Sequence, residues 1–139
     1  MSVQQLSVQV AETGETVVNN VGFKLLSGRI FALVGESGSG KSVTSLATMR
    51  LLPGALQITS GLVQVADEDL FALPESSMRT VRGRKVAMIF QNAMSALNPV
   101  QTAGEQVAET LRLHTNLGGA ALRRRVVQLF AEVGIPDPE

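Results

Sequence analysis

The chain has 139 residues, enough for one modest domain, and 45% of them are apolar residues that can form a core. Its 12 basic and 12 acidic residues cancel to a formal net charge of zero, which excludes a strong overall attraction to nucleic acid or to an anionic membrane. The chain contains no cysteine, which excludes disulfides, thiol chemistry and cysteine-based metal sites.

The first part of the chain has the pattern of short strands. Apolar and polar residues alternate from Leu6 to Val10, which predicts a half-exposed strand. Further extended stretches are predicted at 17–18 and at 23–26, before a Ser-Gly turn. We therefore expect residues 1–28 to form a small antiparallel β layer.

The centre of the chain is a phosphate-binding motif. The apolar run Ile30–Val34 predicts a strand buried on both faces, and it leads directly into G-x-x-x-x-G-K-S at 35–42. The glycines let the backbone N–H groups turn inward around an anion, Lys41 can reach the β- and γ-phosphates, and the Ser42 hydroxyl can bind magnesium. A helix with apolar residues at helical spacing follows and stops at Pro53.

A nucleoside triphosphate is therefore the predicted ligand. The predicted nucleotide-binding residues are Gly35, Glu36, Ser37, Gly38, Ser39, Gly40, Lys41, Ser42 and Val43.

The segment that follows, from residue 60 to residue 83, is predicted to contain a turn, a strand, an acidic step and a short helix. A turn at 60–61 is predicted to precede a strand at 62–66, and the acidic step 67–69 is more often a solvated turn than a metal site. A short helix is predicted from Leu73 to near Gly83.

Basic residues cluster in and just after that helix. A phosphate or nucleic-acid patch and a solvated helix face are both compatible with this cluster, but no aromatic residues for base stacking lie between its members. We therefore favour a solvated face and predict no nucleic-acid partner. The residues are Arg79, Arg82, Arg84 and Lys85.

A second apolar run, Val86–Phe90, predicts another buried strand, and it ends on Gln91. Ligands of open α/β sheets bind beyond the carboxyl ends of strands, so Gln91 is a candidate for contacting magnesium or the attacking water. A solvent-facing glutamine at the end of a strand is the alternative.

Two helices are predicted at the end of the chain. Thr102-x-x-Glu105 is a capping-box pattern ahead of one apolar stripe. A second stripe runs from Leu122 to Val133, and Gly134 suits the end of that helix. The basic run 123–125 is expected to be a solvated face and not an arginine finger.

Three segments together resemble the nucleotide-binding subunits of bacterial ABC importers, in the dipeptide, oligopeptide, nickel and glutathione branch. They are Val34–Thr44, Met88–Gln91 and Ser95–Val100. The resemblance implies an α/β P-loop NTPase fold that binds ATP and Mg²⁺, with Lys41 and Gln91 as catalytic residues and Gln91 opening a loop that contacts magnesium and water. It also implies that residues 92–104 dock onto transmembrane permease subunits.

Further expectations follow from the same resemblance. The P-loop core would span 29–91 and a helical subdomain would begin at 92–139. Two ATP-binding subunits would form a dimer at the cytoplasmic face of the bacterial inner membrane, as peripheral proteins. In that family a second acidic strand end, a Leu-Ser-Gly-Gly signature and a switch histidine come later in the chain, so we expect this chain to be the first part of the domain.

The function predicted from the sequence is an ATPase subunit that drives import of peptide-like solutes. A soluble P-loop kinase is an alternative from another class, although no basic segment to cover the phosphates is recognisable. A nucleotide-binding module without catalysis is the third possibility, since the chain contains no apolar strand ending in Asp-Glu.

Overall fold

A computed structural model describes residues 1–90 and 96–137 of the chain. These residues divide into two compact units, Met1–Val86 and Ala87–Glu139. Gln91 and the first residues of the predicted docking segment, 92–95, lie outside the described residues.

A four-stranded antiparallel sheet dominates the first unit. One face carries the buried side chains of Val3, Leu6, Val8, Val18 and Val63. The predicted antiparallel layer is therefore confirmed, with 16–24 forming one continuous strand where two short stretches were predicted. The strands are β1 (Ser2–Val10), β2 (Thr16–Lys24), β3 (Leu56–Val65) and β4 (Glu68–Asp69). Their order in the sheet is β2-β1-β3-β4.

An irregularity crosses three neighbouring strands of this sheet. Gln5, Asn20 and Gly61 have positive φ angles of 50°, 51° and 119°, and the strand register shifts beside them. The turn predicted at 60–61 is wrong, because β3 continues to pair with β1 on both sides of Gly61. A Ser-Gly pair marks a bulge here and not a chain reversal.

Two helices complete the first unit: α1 (Lys41–Thr48) and α2 (Glu75–Val81). Buried Thr44 and Ala47 lie in α1, and buried Met78 and Val81 lie in α2. Both predicted helices are confirmed, although α1 ends at Thr48, before Pro53.

The two apolar runs predicted as buried strands are not strands in this structure, so that prediction is wrong. Ile30 is fully exposed, Val34 is 86% exposed and Ile89 is 95% exposed. A strand forms only where a neighbouring strand hydrogen-bonds to its backbone, and no described segment forms a ladder with 30–34 or 87–90. Two residues of these runs do find apolar partners: the Phe31 ring stacks on Phe23 with a centroid distance of 5.0 Å, and Val86 packs against the core.

In the described part of the second unit, helices α3 (Ala103–His114) and α4 (Gly119–Glu132) bury Ala108, Leu122 and Val126 between them. The predicted capping box is confirmed: Thr102 Oγ1 accepts from the Glu105 N–H at 3.2 Å, and Glu105 accepts from the Thr102 N–H at 2.9 Å. Among the described residues, no helix is long and apolar enough to cross a membrane.

Candidate nucleotide-binding site

The loop before α1 depends on glycine at position 40. Gly38 and Gly40 have φ angles of +83° and +85°, a region that L side chains rarely adopt. A β-carbon on residue 40 would lie 3.1 Å from the Val17 carbonyl oxygen and 3.2 Å from a methyl carbon of Val18. The loop is therefore packed closely on β2 at the point where α1 begins.

The N-terminus of α1 has the properties of an anion site. No side chain caps it, and no acidic residue lies in its first turn. The first N–H groups of a helix have no partner within the helix, and the helix dipole adds a partial positive charge at the same end. A phosphate group would supply the missing acceptors.

Lys41 is folded back over the loop. Its ammonium group donates to the Gly35 carbonyl at 2.8 Å, to the Glu36 carbonyl and to Ser39 Oγ at 3.0 Å. The loop oxygens thus hold the cation at the centre of the turn. An anionic phosphate oxygen is a stronger acceptor than these neutral oxygens, so Lys41 can exchange them for a phosphate.

The remaining predicted residues of the loop surround this arrangement. Glu36 and Ser37 are exposed in the turn, and Ser42 is exposed in the first turn of α1. Val43 follows Ser42, and its half-buried side chain packs against the core. A contact between Val43 and a nucleotide would therefore use its backbone N–H.

The Ser42 hydroxyl is the candidate magnesium ligand that the structure describes. Mg²⁺ typically takes only one or two oxygen ligands from a protein and completes its octahedron with phosphate oxygens and water. A single hydroxyl beside a triphosphate site fits that requirement. No group of three or more His, Cys, Asp and Glu side chains that could hold a metal ion occurs within 1–90 and 96–137.

Arg79, Arg84 and Lys85 of the basic cluster are exposed, as the predicted solvated face requires, and Arg82 is the exception. The Arg82 side chain is 19% exposed, forms an ion pair with Glu75 and donates to two backbone carbonyls at the end of α1. The hydrogen bond from Arg82 is the main cause that lowers the pKa of the Glu75 carboxyl. Lys85 pairs with Glu68 at 2.7 Å.

No local sequence pattern reveals this connection between α1 and α2, because Arg82 is more than 30 residues from the carbonyls that it contacts. In the acidic step, Asp69 accepts a hydrogen bond from the Phe71 N–H at 2.9 Å, as a turn residue does. Two of the three acidic residues therefore have structural partners, Glu68 through Lys85 and Asp69 through Phe71.

The predicted docking segment is described from Ala96 to Gly104. The Gln106 side chain of α3 holds its turn through three hydrogen bonds: it accepts from the Asn98 N–H and donates to the Asn98 and Gln101 carbonyls, at 3.0 to 3.2 Å. Val100, at the tip of that turn, is 86% exposed. An apolar side chain is thus presented to solvent on a braced turn.

A glycine-rich loop that leads into an uncapped helix, with a lysine and a serine at the helix start, defines a P-loop nucleotide-binding protein. A profile described as "ABC transporter" matches residues 18–139, and the chain belongs to that family. Its fold class is therefore the P-loop NTPase domain of the ABC type, as the sequence motifs predicted.

Several curated relatives cover nearly the whole chain. It is 45% identical to the dipeptide transport ATP-binding protein DppD of Bacillus subtilis (strain 168), with 99% of the chain and 42% of the relative covered. It is 44% identical to the peptidoglycan transport ATP-binding protein YejF of Agrobacterium fabrum, with 100% and 26% covered. The oligopeptide transport ATP-binding protein OppD of Bacillus subtilis is 40% identical, with 100% and 40% covered. The chain therefore spans well under half the length of these relatives.

Proposed function

We propose that this chain is the first part of the ATP-binding subunit of an ABC importer, which couples ATP binding and hydrolysis to the uptake of peptide-like solutes. The observation that carries the proposal is the uncapped N-terminus of α1 behind a glycine loop, with Lys41 at its first position. The printed names of the relatives, which refer to dipeptide, oligopeptide and peptidoglycan transport, support the class of solute.

Each residue of the site has a defined role in this proposal. The first-turn N–H groups of α1 bind phosphate oxygens, Lys41 pairs with the β- and γ-phosphates, and Ser42 holds Mg²⁺. Gln91 is proposed to orient the attacking water or to contact Mg²⁺. Bound Mg-ATP would supply the phosphoanhydride bond, and Mg²⁺ held by Ser42 would supply positive charge beside the phosphate oxygens.

The proposed partners are transmembrane permease subunits, which would dock on residues 92–104, and a second ATP-binding subunit. The exposed Val100 on the turn braced by Gln106 supports the docking proposal, since a fixed apolar side chain loses little conformational freedom on binding. We place the protein at the cytoplasmic face of the bacterial inner membrane as a peripheral subunit. No nucleic-acid partner is proposed, and Arg82 and Lys85 already have acidic partners within the chain.

Titration with Mg-ATP tests the proposed site. We expect Lys41→Ala to weaken ATP binding by roughly tenfold to a hundredfold, the range expected for losing a charged hydrogen bond. Lys24→Ala, which removes an exposed lysine from β2, is the matched control and should bind like the parent. Equal affinity of the Lys41 variant and the parent would refute the site.

The product of the reaction separates the proposed ATPase from the two alternatives. In the longest natural polypeptide that contains these residues, Mg-ATP should yield inorganic phosphate, and turnover should rise with permease subunits present. Transfer of phosphate to a small acceptor would indicate a kinase instead. Tight binding without turnover would indicate a module without catalysis.

The docking proposal has its own test. Val100→Asp places a charge on the braced turn, and we expect it to reduce co-purification with the permease subunits while leaving ATP binding unchanged. Leu113→Asp is the matched control, because Leu113 is a comparably exposed apolar residue on α3. A loss of co-purification in both variants, or in neither, would exclude a specific role for the turn.

A further inference from the structure

The end of α1 carries an arginine where glycine is usual. The Arg50 N–H donates to the Ala47 carbonyl at 3.0 Å, and the Leu51 N–H donates to the Leu46 carbonyl at 2.9 Å. This pair of bonds closes a helix with one residue in the left-handed conformation, a position that glycine normally occupies. Arg50 occupies it with a φ of +54°. An unfavourable backbone conformation at a residue with a side chain needs a compensating interaction.

The Arg50 guanidinium provides that compensation. Its Nη1 donates to the Leu73 carbonyl at 2.6 Å and to the Leu70 carbonyl at 3.3 Å, and its Nη2 lies 3.7 Å from the Glu75 carboxylate. The side chain therefore reaches from the end of α1 to the segment that leads into α2. Glycine at this position would relieve the backbone and lose all three interactions.

Arg82 makes the reciprocal connection from the end of α2. Its Nε donates to the Met49 carbonyl at 2.9 Å, its Nη2 donates to the Arg50 carbonyl at 3.3 Å, and its Nη1 pairs with Glu75. The last carbonyls of a helix lack partners within the helix and carry its partial negative charge. A planar guanidinium can bind two carbonyls and a carboxylate at once, which a lysine cannot reproduce.

We propose that Arg50, Glu75 and Arg82 form a clamp that positions the P-loop helix for nucleotide binding. The inference rests on the proposed function, because it assumes that the start of α1 binds a nucleoside triphosphate. α1 has only 8 residues, and its start is packed on the Val17 carbonyl through Gly40. Movement of its far end therefore tilts the helix about that contact and turns the first N–H groups away from the phosphates. All three clamp residues lie at the end of α1 opposite the P-loop, so they are positioning residues.

Two clamp variants distinguish the effect of losing the clamp contacts from the effect of backbone strain at residue 50. Arg82→Met keeps much of the side-chain volume and removes the bonds to Met49, Arg50 and Glu75. Arg50→Gly relieves the left-handed conformation but removes the guanidinium, so its effects on stability and on positioning oppose each other. Arg79→Met is the matched control, because Arg79 is an exposed arginine of α2 that makes no hydrogen bond or ion pair within the described residues.

The experiment measures Mg-ATP binding by calorimetry, with dissociation constant and stoichiometry determined separately, in the longest natural polypeptide that contains these residues. Suppose that α1 keeps its binding geometry in only about a tenth of the molecules once the clamp is removed. The dissociation constant for Mg-ATP then rises about tenfold, because only that fraction can bind. We expect this rise for Arg82→Met and Arg50→Gly at unchanged stoichiometry, with Arg79→Met equal to the parent.

A merely structural role would give a different result: a lower stoichiometry, from molecules that have unfolded, with an unchanged dissociation constant. That outcome, or parent-like binding by both clamp variants, overturns the inference. If Arg82→Met does not fold, Glu75→Gln decides the question, because Glu75 is half-exposed on its helix and its amide would keep one acceptor for Arg82. We then expect a severalfold weaker ATP affinity, and parent-like affinity overturns the inference. Absence of ATP binding by the parent would instead refute the proposed function.

Discussion

Gly61 crosses Leu6 so closely that a β-carbon on residue 61 would lie 2.6 Å from the Leu6 α-carbon. Gly61 also has a φ of +119°, and Leu6 is a fully buried core residue of β1. The close approach lets β3 follow the bulge at Gln5 and still pair with β1 on both sides of it. The sheet on which α1 packs therefore depends on one glycine in β3.

We expect Gly61→Ala to lower the free energy of unfolding by roughly 2 kcal/mol or more, since it adds a backbone clash to conformational strain. Gly14→Ala is the control that carries strain without a clash, because Gly14 has a φ of +72° and no atom near its β-carbon position. Urea unfolding compares the two. A Gly61 variant no less stable than the Gly14 variant would contradict the importance of the close approach.

Gly40→Ala tests the packing of the phosphate loop on β2. The added carbon would meet the Val17 carbonyl and Val18 at 3.1 to 3.2 Å in a region of φ that alanine disfavours. We expect a loss of ATP affinity of at least about tenfold, because the loop must move away from the strand to relieve the contact. Gly54→Ala, at a glycine with open space around it, should leave binding unchanged.

For Gln91 the prediction is kinetic, and it rests on the sequence and on the family. Gln91→Ala is expected to slow hydrolysis in the longest natural polypeptide more than it weakens ATP binding, because the residue is proposed to act on water or magnesium. Steady-state turnover and equilibrium binding measured on one preparation give both quantities. An equal loss of turnover and of affinity would remove Gln91 from the catalytic residues.

The capping box of α3 should make its stability depend on pH. Hydrogen bonds from the Thr102 N–H and hydroxyl lower the pKa of the Glu105 carboxyl below its usual value of 4.5. A lowered pKa in the folded state means that the carboxylate stabilises the fold above the unfolded pKa, and that this contribution disappears as the pH falls through the folded pKa. Circular dichroism should show α3 losing helix below about pH 4.5 in the parent, and a weaker pH dependence in Glu105→Gln.

The exposed apolar run at 30–34 predicts that residues 1–139 alone aggregate. Ile30 and Val34 present large apolar side chains on backbone that is not paired in a sheet, a combination that favours association between chains. We expect light scattering from this chain to fall in an Ile30→Asn, Val34→Asn variant. We also expect no steady phosphate release from residues 1–139, in contrast to a longer natural polypeptide.

A cooperative urea transition and steady turnover by residues 1–139 would contradict that prediction. The control is Val17→Asn, which changes a half-buried valine of β2 and should destabilise the sheet without reducing aggregation.

Local features could be predicted from the sequence because the residues that form them are neighbours in the chain. Thr102 and Glu105 are three residues apart, so a helix brings them together wherever it lies, and their capping box is confirmed. The same holds for the start of α1 after Gly40, where loop, lysine and helix are one continuous segment. The family followed from these local motifs as well.

Interactions between residues far apart in the chain could be determined only from the tertiary structure. Whether 30–34 becomes a strand depends on neighbours that hydrogen-bond to it, and an apolar run alone cannot supply them. The Ser-Gly pair at 60–61 is a turn pattern in the sequence. In the fold, β1 pairs with β3 on both sides of Gly61, so the chain does not reverse there. The sequence alone predicts that Arg82 is a surface cation. In the fold, its guanidinium donates hydrogen bonds to the Met49 and Arg50 carbonyls. Sequence determines which groups a chain carries, but the free energy of burying an apolar run or a cation depends on partners that only folding brings within reach.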